Sequence, residues 1–153
     1  METLEPIMTE HPFFRGFKPD HIKLLVGCAS NVRFNPGEFL LRGGEEANQF
    51  FVLRQGKVAI ELSAAGRKPI MIQMIEGGEI LGWSWLVPPY QWRFNGRAIE
   101  LTRVIAFDGK CLRTKCEEDH DLGFELLKRF TTVITKRLDA ASLQLLDTYG
   151  EHS

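Results

Sequence analysis

The chain is poor in the residues that most often announce a chemistry. Its 153 residues hold three cysteines and four histidines, and 19 Lys and Arg nearly cancel 20 Asp and Glu, a formal net charge of −1. Without a cationic excess there is no electrostatic ground for expecting nucleic acid or an anionic membrane as partner. No apolar run approaches the ~20 residues of a membrane span, and the opening METLEPIMTEH lacks a basic-then-apolar leader pattern. Cys28, Cys111 and Cys116 are too few and too irregularly spaced for a disulfide framework or a four-cysteine zinc site. All three are expected as buried free thiols in a reduced, cytoplasmic setting. His11, His21, His120 and His152 show no ligand spacing, so no metal is expected, and no Ser-His-Asp or Cys-His arrangement stands out. The chain therefore reads as a non-enzyme.

What it does have is concentrated. Gly77 to Ala98, GGEILGWSWLVPPYQWRFNGRA, holds all three tryptophans (Trp83, Trp85, Trp92), four of the fourteen glycines and the Pro88-Pro89 pair, with Gln91, Arg93 and Arg97 close by. The rest of the chain is arranged around this cassette. Residues 1–12, polar and Pro-containing, read as loose apart from the turn before Phe13. Lys18-Pro19-Asp20 starts a short helix to about Ala29, with Asp20 as N-cap. From Val32 to Phe107 short apolar runs are separated by glycine turns: Val32–Phe34, Glu38–Arg42, Gln49–Leu53, Lys57–Leu62, Pro69–Ile75, Glu79–Leu81, Phe94–Glu100 and Thr102–Phe107. Arg54-Gln55-Gly56 reads as a tight hairpin joining the third and fourth runs, Ala64-Ala65-Gly66 as the next turn, and the last two runs as a strand pair. Eight short strands at this spacing imply an antiparallel sandwich or barrel.

Lys110–Glu118 reads as a solvated charged segment. Beyond it the period becomes helical: Phe124, Leu127, Thr131, Ile134, Leu138, Ala141, Leu145 and Thr148 recur at spacings of three and four. A second face, Leu126, Phe130 and Val133, is available for docking on the strands. The first seam predicts helix-to-helix dimerisation through Leu127, Ile134, Leu138 and Leu145. The alternative is a helix that wraps back over its own sheet.

In order, a short helix, VRFNPGEFLLRGG, QFFVLRQGKVAI, GGEILGW, a strand pair ending in Phe107-Asp108 and a long helix resemble a cyclic-nucleotide-binding domain of the Crp/Fnr type. The resemblance runs from about Phe13 to Leu146 and is carried by Pro36-Gly37-Glu38, Gly56, Gly78-Glu79, Gly82, Arg97-Ala98 and Asp108. It implies a mainly β fold, an eight-stranded antiparallel jelly roll with a short N-terminal helix and a long C-terminal helix. As one domain over 1–153, it divides into a helical segment (1–30), a jelly roll (31–108) with the cassette at 77–98, and a C-terminal helical region (109–153). In such domains the cassette cradles a cyclic phosphate: a glutamate after the cassette glycine holds the ribose hydroxyl, and an arginine ten residues past that glycine meets the phosphate.

The spacing survives here, but Trp83 follows Gly82 and Trp92 stands ten residues beyond it. An indole has one N–H donor and no acceptor, so neither residue can repeat the family's grip. The candidate ligand-binding residues are Gly82, Trp83, Ser84, Trp85, Trp92 and Arg93. Ser84 is placed to cap a short helix to Val87. Strand alternation points Arg93 away from Trp92, and Arg97 reads as a surface or ion-pair residue. The tryptophans either fill the nucleotide's space or line a pocket for another ligand. The expected function is a regulatory or sensor module in signal transduction with altered or lost cAMP binding; the alternative is a ligand-free dimeric scaffold in a larger complex. The expected partners are a second copy of the chain, a small ligand (a cyclic nucleotide or another molecule) and a protein. Gly150-Glu151-His152-Ser153 leaves no room for a helix-turn-helix, so direct DNA contact is not expected.

Overall fold

Eight strands form where the apolar runs lie between glycine turns: β1 (Ala29–Phe34), β2 (Phe39–Leu41), β3 (Gln49–Gln55), β4 (Lys57–Leu62), β5 (Ile70–Glu76), β6 (Ile80–Leu81), β7 (Asn95–Ala98) and β8 (Thr102–Asp108). A computed structural model describes residues 4–63 and 66–150. The turn expected at Ala64-Ala65 and the side chain of Thr148 lie outside the described residues. Two four-stranded sheets result, ordered β1-β8-β3-β6 and β2-β7-β4-β5. The antiparallel pairings β1–β8, β2–β7, β3–β6 and β4–β5 nest one inside another, a long hairpin rolled into a jelly roll.

Two expected pairings are corrected. β3 and β4 are not a hairpin: they belong to different sheets, and the chain steps between them at Gly56. There φ is +110°, and a Cβ would stand 2.6 Å from the Thr102 Cα and 2.8 Å from the Leu101 carbonyl oxygen. Only glycine fits this step. Nor do β7 and β8 pair, since β7 lies between β2 and β4 while β8 lies between β1 and β3. A short polar link between apolar runs has the same local signature whether the chain turns back or crosses to the facing sheet.

β3 and β8 are buried on both faces, which explains their unbroken apolar runs. Phe50, Val52, Ile105 and Phe107 face a helix-side core; Phe51, Leu53, Val104 and Ala106 face the core between the sheets. The helix-side core is covered by four helices: α1 (Leu4–Glu10), α2 (Pro19–Val26), α3 (Gly109–Glu118) and α4 (His120–Gly150). Leu126 and Phe130 of α4 dock there, as their spacing predicts, with Phe130 only 1% exposed.

Four local readings change. Residues 4–10 are helical rather than loose, because Met8 is drawn wholly into the core. α2 begins after Lys18 with Pro19 in its first turn, so Asp20 sits inside the helix and is not its cap. Residues 110–118 are an amphipathic helix, not a solvated run: Asp108 caps it by accepting from the Cys111 N–H at 3.0 Å, and Leu112 is fully buried. Cys28 and Cys111 form a disulfide with Cα atoms 5.7 Å apart, although 83 residues separate them. That pairing removes the free-thiol ground for expecting a reduced setting. Cys116 alone is free, and burial, aided by Asp119 and Glu117, pushes its thiol up to about 11.

His11 fastens the N-terminal segment to the roll. Its Nδ1 accepts from the Phe13 N–H (3.1 Å), which leaves Nε2 as the donor to the Leu53 carbonyl (2.9 Å). Burial holds this ring below the ordinary histidine value of 6.5, against the smaller opposing effect of the Leu53 bond. The folded ring resists a proton that the unfolded chain accepts, so stability present above pH 6.5 is lost as the pH falls below it. Thermal unfolding measured from pH 7.5 to 5 should show a declining midpoint in the native chain and a shallower decline in His11→Gln. Phe130→Ala should cost about 3–5 kcal/mol in urea denaturation, the range for truncating a buried aromatic.

Candidate ligand pocket at the glycine-rich cassette

The cassette leaves β6 through Gly82, whose φ of +90° and missing Cβ set its course. A Cβ there would lie 2.8 Å from the Trp92 ring, so the glycine and the indole occupy one packed unit. Ser84–Leu86 form a single 3-10 turn, and the chain then passes Pro88-Pro89 through a cis bond to Tyr90. The return arm is fixed by backbone bonds to the loop at 44–47: Ala47 N–H to Tyr90 O (2.6 Å), Trp92 N–H to Glu45 O (2.9 Å) and Gly44 N–H to Trp92 O (2.8 Å). Arg97 is the ion-pair residue its position suggested, bidentate to the Glu61 carboxylate at 2.9 and 3.2 Å.

Between this cassette, the β2-β7-β4-β5 sheet and α4 lies a cavity of about 310 Å³. Leu41, Ile60, Ile72 and Leu81 supply its aliphatic wall, and Trp83, Trp92 and Phe94 its aromatic wall. From α4 come Ile134, Arg137 and Leu138. Among the described residues, Gln73, Ser84, Arg93 and Arg137 are the only polar side chains lining it, and no carboxylate does.

The sequence-selected residues separate here. Gly82, Trp83, Ser84, Trp92 and Arg93 all line the cavity. Trp85 does not: it is fully buried in the helix-side core, stacked on Phe50 at 5.8 Å and edge-on to Phe130 at 5.8 Å. Its indole N–H has no hydrogen-bond partner among the described residues, so packing holds the side chain, while Arg113 donates to the Trp85 carbonyl. Ser84 makes no side-chain cap, because Trp83 rather than Ser84 precedes the 3-10 turn. Arg93 shares the cavity with Trp92; residues 92–94 form no strand, so alternation does not govern them. Of the expected dimer residues, Leu127, Leu138 and Leu145 are exposed and Ile134 half-buried, while Ile134 and Leu138 also close the pocket.

Arg137 is the residue that sequence reading passed over. It donates to the Ile80 carbonyl of β6 and holds its guanidinium 5.1 Å from the Trp83 ring centre. Burial lowers it to about 10, with Glu79 pulling the other way, so it stays cationic at neutral pH. Its signal in the sequence was a charge at the margin of the α4 seam, between Ile134 and Leu138.

Residues 31–119, which carry the strands of the roll and the glycine-framed cassette, match a known family described as the cyclic nucleotide-binding domain. The chain belongs to that family. This member is 30% identical over 74 residues to human cGMP-dependent protein kinase 2, covering 48% of the chain and 10% of the kinase. It is 21% identical over 144 residues to a CRP-like cAMP-activated global transcriptional regulator of Mycobacterium tuberculosis, covering 94% of the chain and 62% of the regulator. The chain thus spans a tenth of one relative and under two thirds of the other. A crystal structure of a cyclic nucleotide-binding domain from Methylobacillus flagellatus superposes with a TM-score of 0.83 at 15% identity, covering 97% of this chain and 87% of that one, which shows the shared fold.

The residues present do not fit a cyclic nucleotide gripped in the family's way. Indoles occupy both positions where the carboxylate and the phosphate cation would stand, and among the described residues no carboxylate lines the cavity to receive ribose hydroxyls. The frame itself should be unforgiving. Gly82→Ala should lose at least about 1 kcal/mol of stability from its left-handed backbone alone. Pairing it with Trp92→Leu should recover the steric part and leave the backbone part, as chemical denaturation of the three variants would show.

Proposed function

We propose that this chain is a regulatory or sensor module in signal transduction whose cAMP response is altered or lost. The observation that carries this reading is a retained cavity in a cyclic nucleotide-binding frame, lined by Trp83 and Trp92 and, among the described residues, by no carboxylate. The regulatory relatives support the class: the mycobacterial protein is a cAMP-activated regulator by its description. Nothing in the reading calls for catalysis.

The output runs through α4. Ile134, Arg137 and Leu138 reach the cavity, while Leu127 (52% exposed) and Leu145 (58% exposed) lie on the uncovered side of the same helix. A ligand that favours one position of α4 shifts the population of that position, and with it the geometry of two copies joined along the helix. A ligand-free scaffold is the competing reading, favoured by Trp85 being committed to the core.

Calorimetric titration with cAMP and cGMP should show no saturable binding below about 1 mM, equivalent to no more than ~4 kcal/mol of binding energy. Micromolar binding of cAMP would overturn the altered response. Leu127→Glu combined with Leu145→Glu, both outside the pocket lining, should convert a dimer to a monomer in light scattering. An unchanged dimer mass, or a monomer in the native chain, would remove α4 as the interface.

A further inference from the structure

The charge and polarity of the cavity point to a ligand class, an inference that rests on the small-ligand sensor reading above. We propose that the pocket takes an apolar organic monoanion: an aromatic or aliphatic body bearing one carboxylate, its head group paired with Arg137 and Arg93 and its body between Trp83, Trp92 and Leu138.

Three observations carry it. First, the lining is unbalanced. Both charged side chains in it are arginines, and apart from these, Gln73, Ser84 and Gly82, every lining residue is apolar or aromatic. A small ligand in such a site is held by apolar contact and oriented by very few polar groups. Second, among the described residues no carboxylate lies within ion-pair distance of either guanidinium. The neighbouring arginines are satisfied by contrast: Arg97 by Glu61 and Arg129 by Glu125. Arg137 is held half-buried against Trp83 with a backbone carbonyl as its hydrogen-bond acceptor. A desolvated cation whose nearby carboxylate, Glu79, makes no ion pair with it gains most from an anion that arrives with the ligand, and a guanidinium fork matches a carboxylate's two oxygens. Third, the indoles of Trp83 and Trp92 line the cavity beside those cations and supply apolar surface for the ligand's body.

A cyclic nucleotide would bring ribose hydroxyls and purine edges to a wall that offers Gln73 and Ser84 as its uncharged polar side chains. Each polar group buried there without a partner weakens binding. An apolar acid leaves no such group behind.

The test is a fluorescence and calorimetric titration of the full chain with 1-naphthoate, decanoate, the neutral 1-naphthalenemethanol and cAMP. At least one of the two acids should bind saturably, and naphthoate or decanoate should bind at least tenfold more tightly than the alcohol. Which acid binds separates an aromatic from an aliphatic body. In Arg93→Met, and in Arg137→Met if its circular dichroism is native, the acid should weaken at least tenfold while the alcohol is unchanged. Silence from both acids, an alcohol that binds as well as the acid, or Arg variants that bind acid normally would overturn the proposal. Silence from acids and cAMP together overturns the ligand class and leaves the altered cAMP response standing. Tight cAMP binding that displaces the acid overturns both readings.

Discussion

Phe50 is the contact on which the rest of the molecule depends. Its ring stacks on Phe107 at 4.6 Å and meets Phe130 at 5.2 Å, Phe13 at 6.0 Å and Trp85 at 5.8 Å. Those partners come from β8, α4, the N-terminal segment and the cassette. One side chain of β3 therefore meets four separate segments on the helix side of the roll. Aromatic pairs of this geometry add ~0.5–1.5 kcal/mol each beyond the area they bury. Arg129 reinforces the same junction, donating to the Phe13 carbonyl at 2.6 Å and lying 4.1 Å from the Phe17 ring centre. Because Trp85 is held here, the cassette has a fixed root and only its two outer indoles are left for the cavity.

α4 serves three surfaces at once. Leu126 and Phe130 bind it to the core, Ile134, Arg137 and Leu138 close the pocket, and Leu127 and Leu145 remain uncovered. A helix placed this way touches the core, the pocket and the exterior together. The bond from Arg137 to the Ile80 carbonyl adds a direct tie from α4 to the strand that enters the cassette.

The strand count, the glycine frame and the docked face of α4 were legible in the sequence because each depends on local spacing. Pairing was not. β3 and β4 are separated by Gly56 alone yet lie in facing sheets, and only the steric demand at Gly56 distinguishes the step from a hairpin. The Cys28–Cys111 pair was hidden for the same reason, since spacing says nothing of two residues brought together by a nested roll. At the site, five of six selected residues line the cavity because the cassette is contiguous. Trp85 was misassigned because a 3-10 turn sends its middle residue inward, and Arg137 was missed because it lies 39 residues beyond Ala98, where the cassette ends.

The central claim is that a cyclic-phosphate cradle keeps its frame here while two side chains have removed its grip. Restoring them is the most direct test: the cAMP affinity of Trp83→Glu combined with Trp92→Arg, measured by calorimetry beside the native chain. A folded double variant should gain saturable cAMP binding that the native chain lacks, improved at least tenfold. Native-chain binding as tight as the variant's, or a folded variant that still ignores cAMP, would contradict the account.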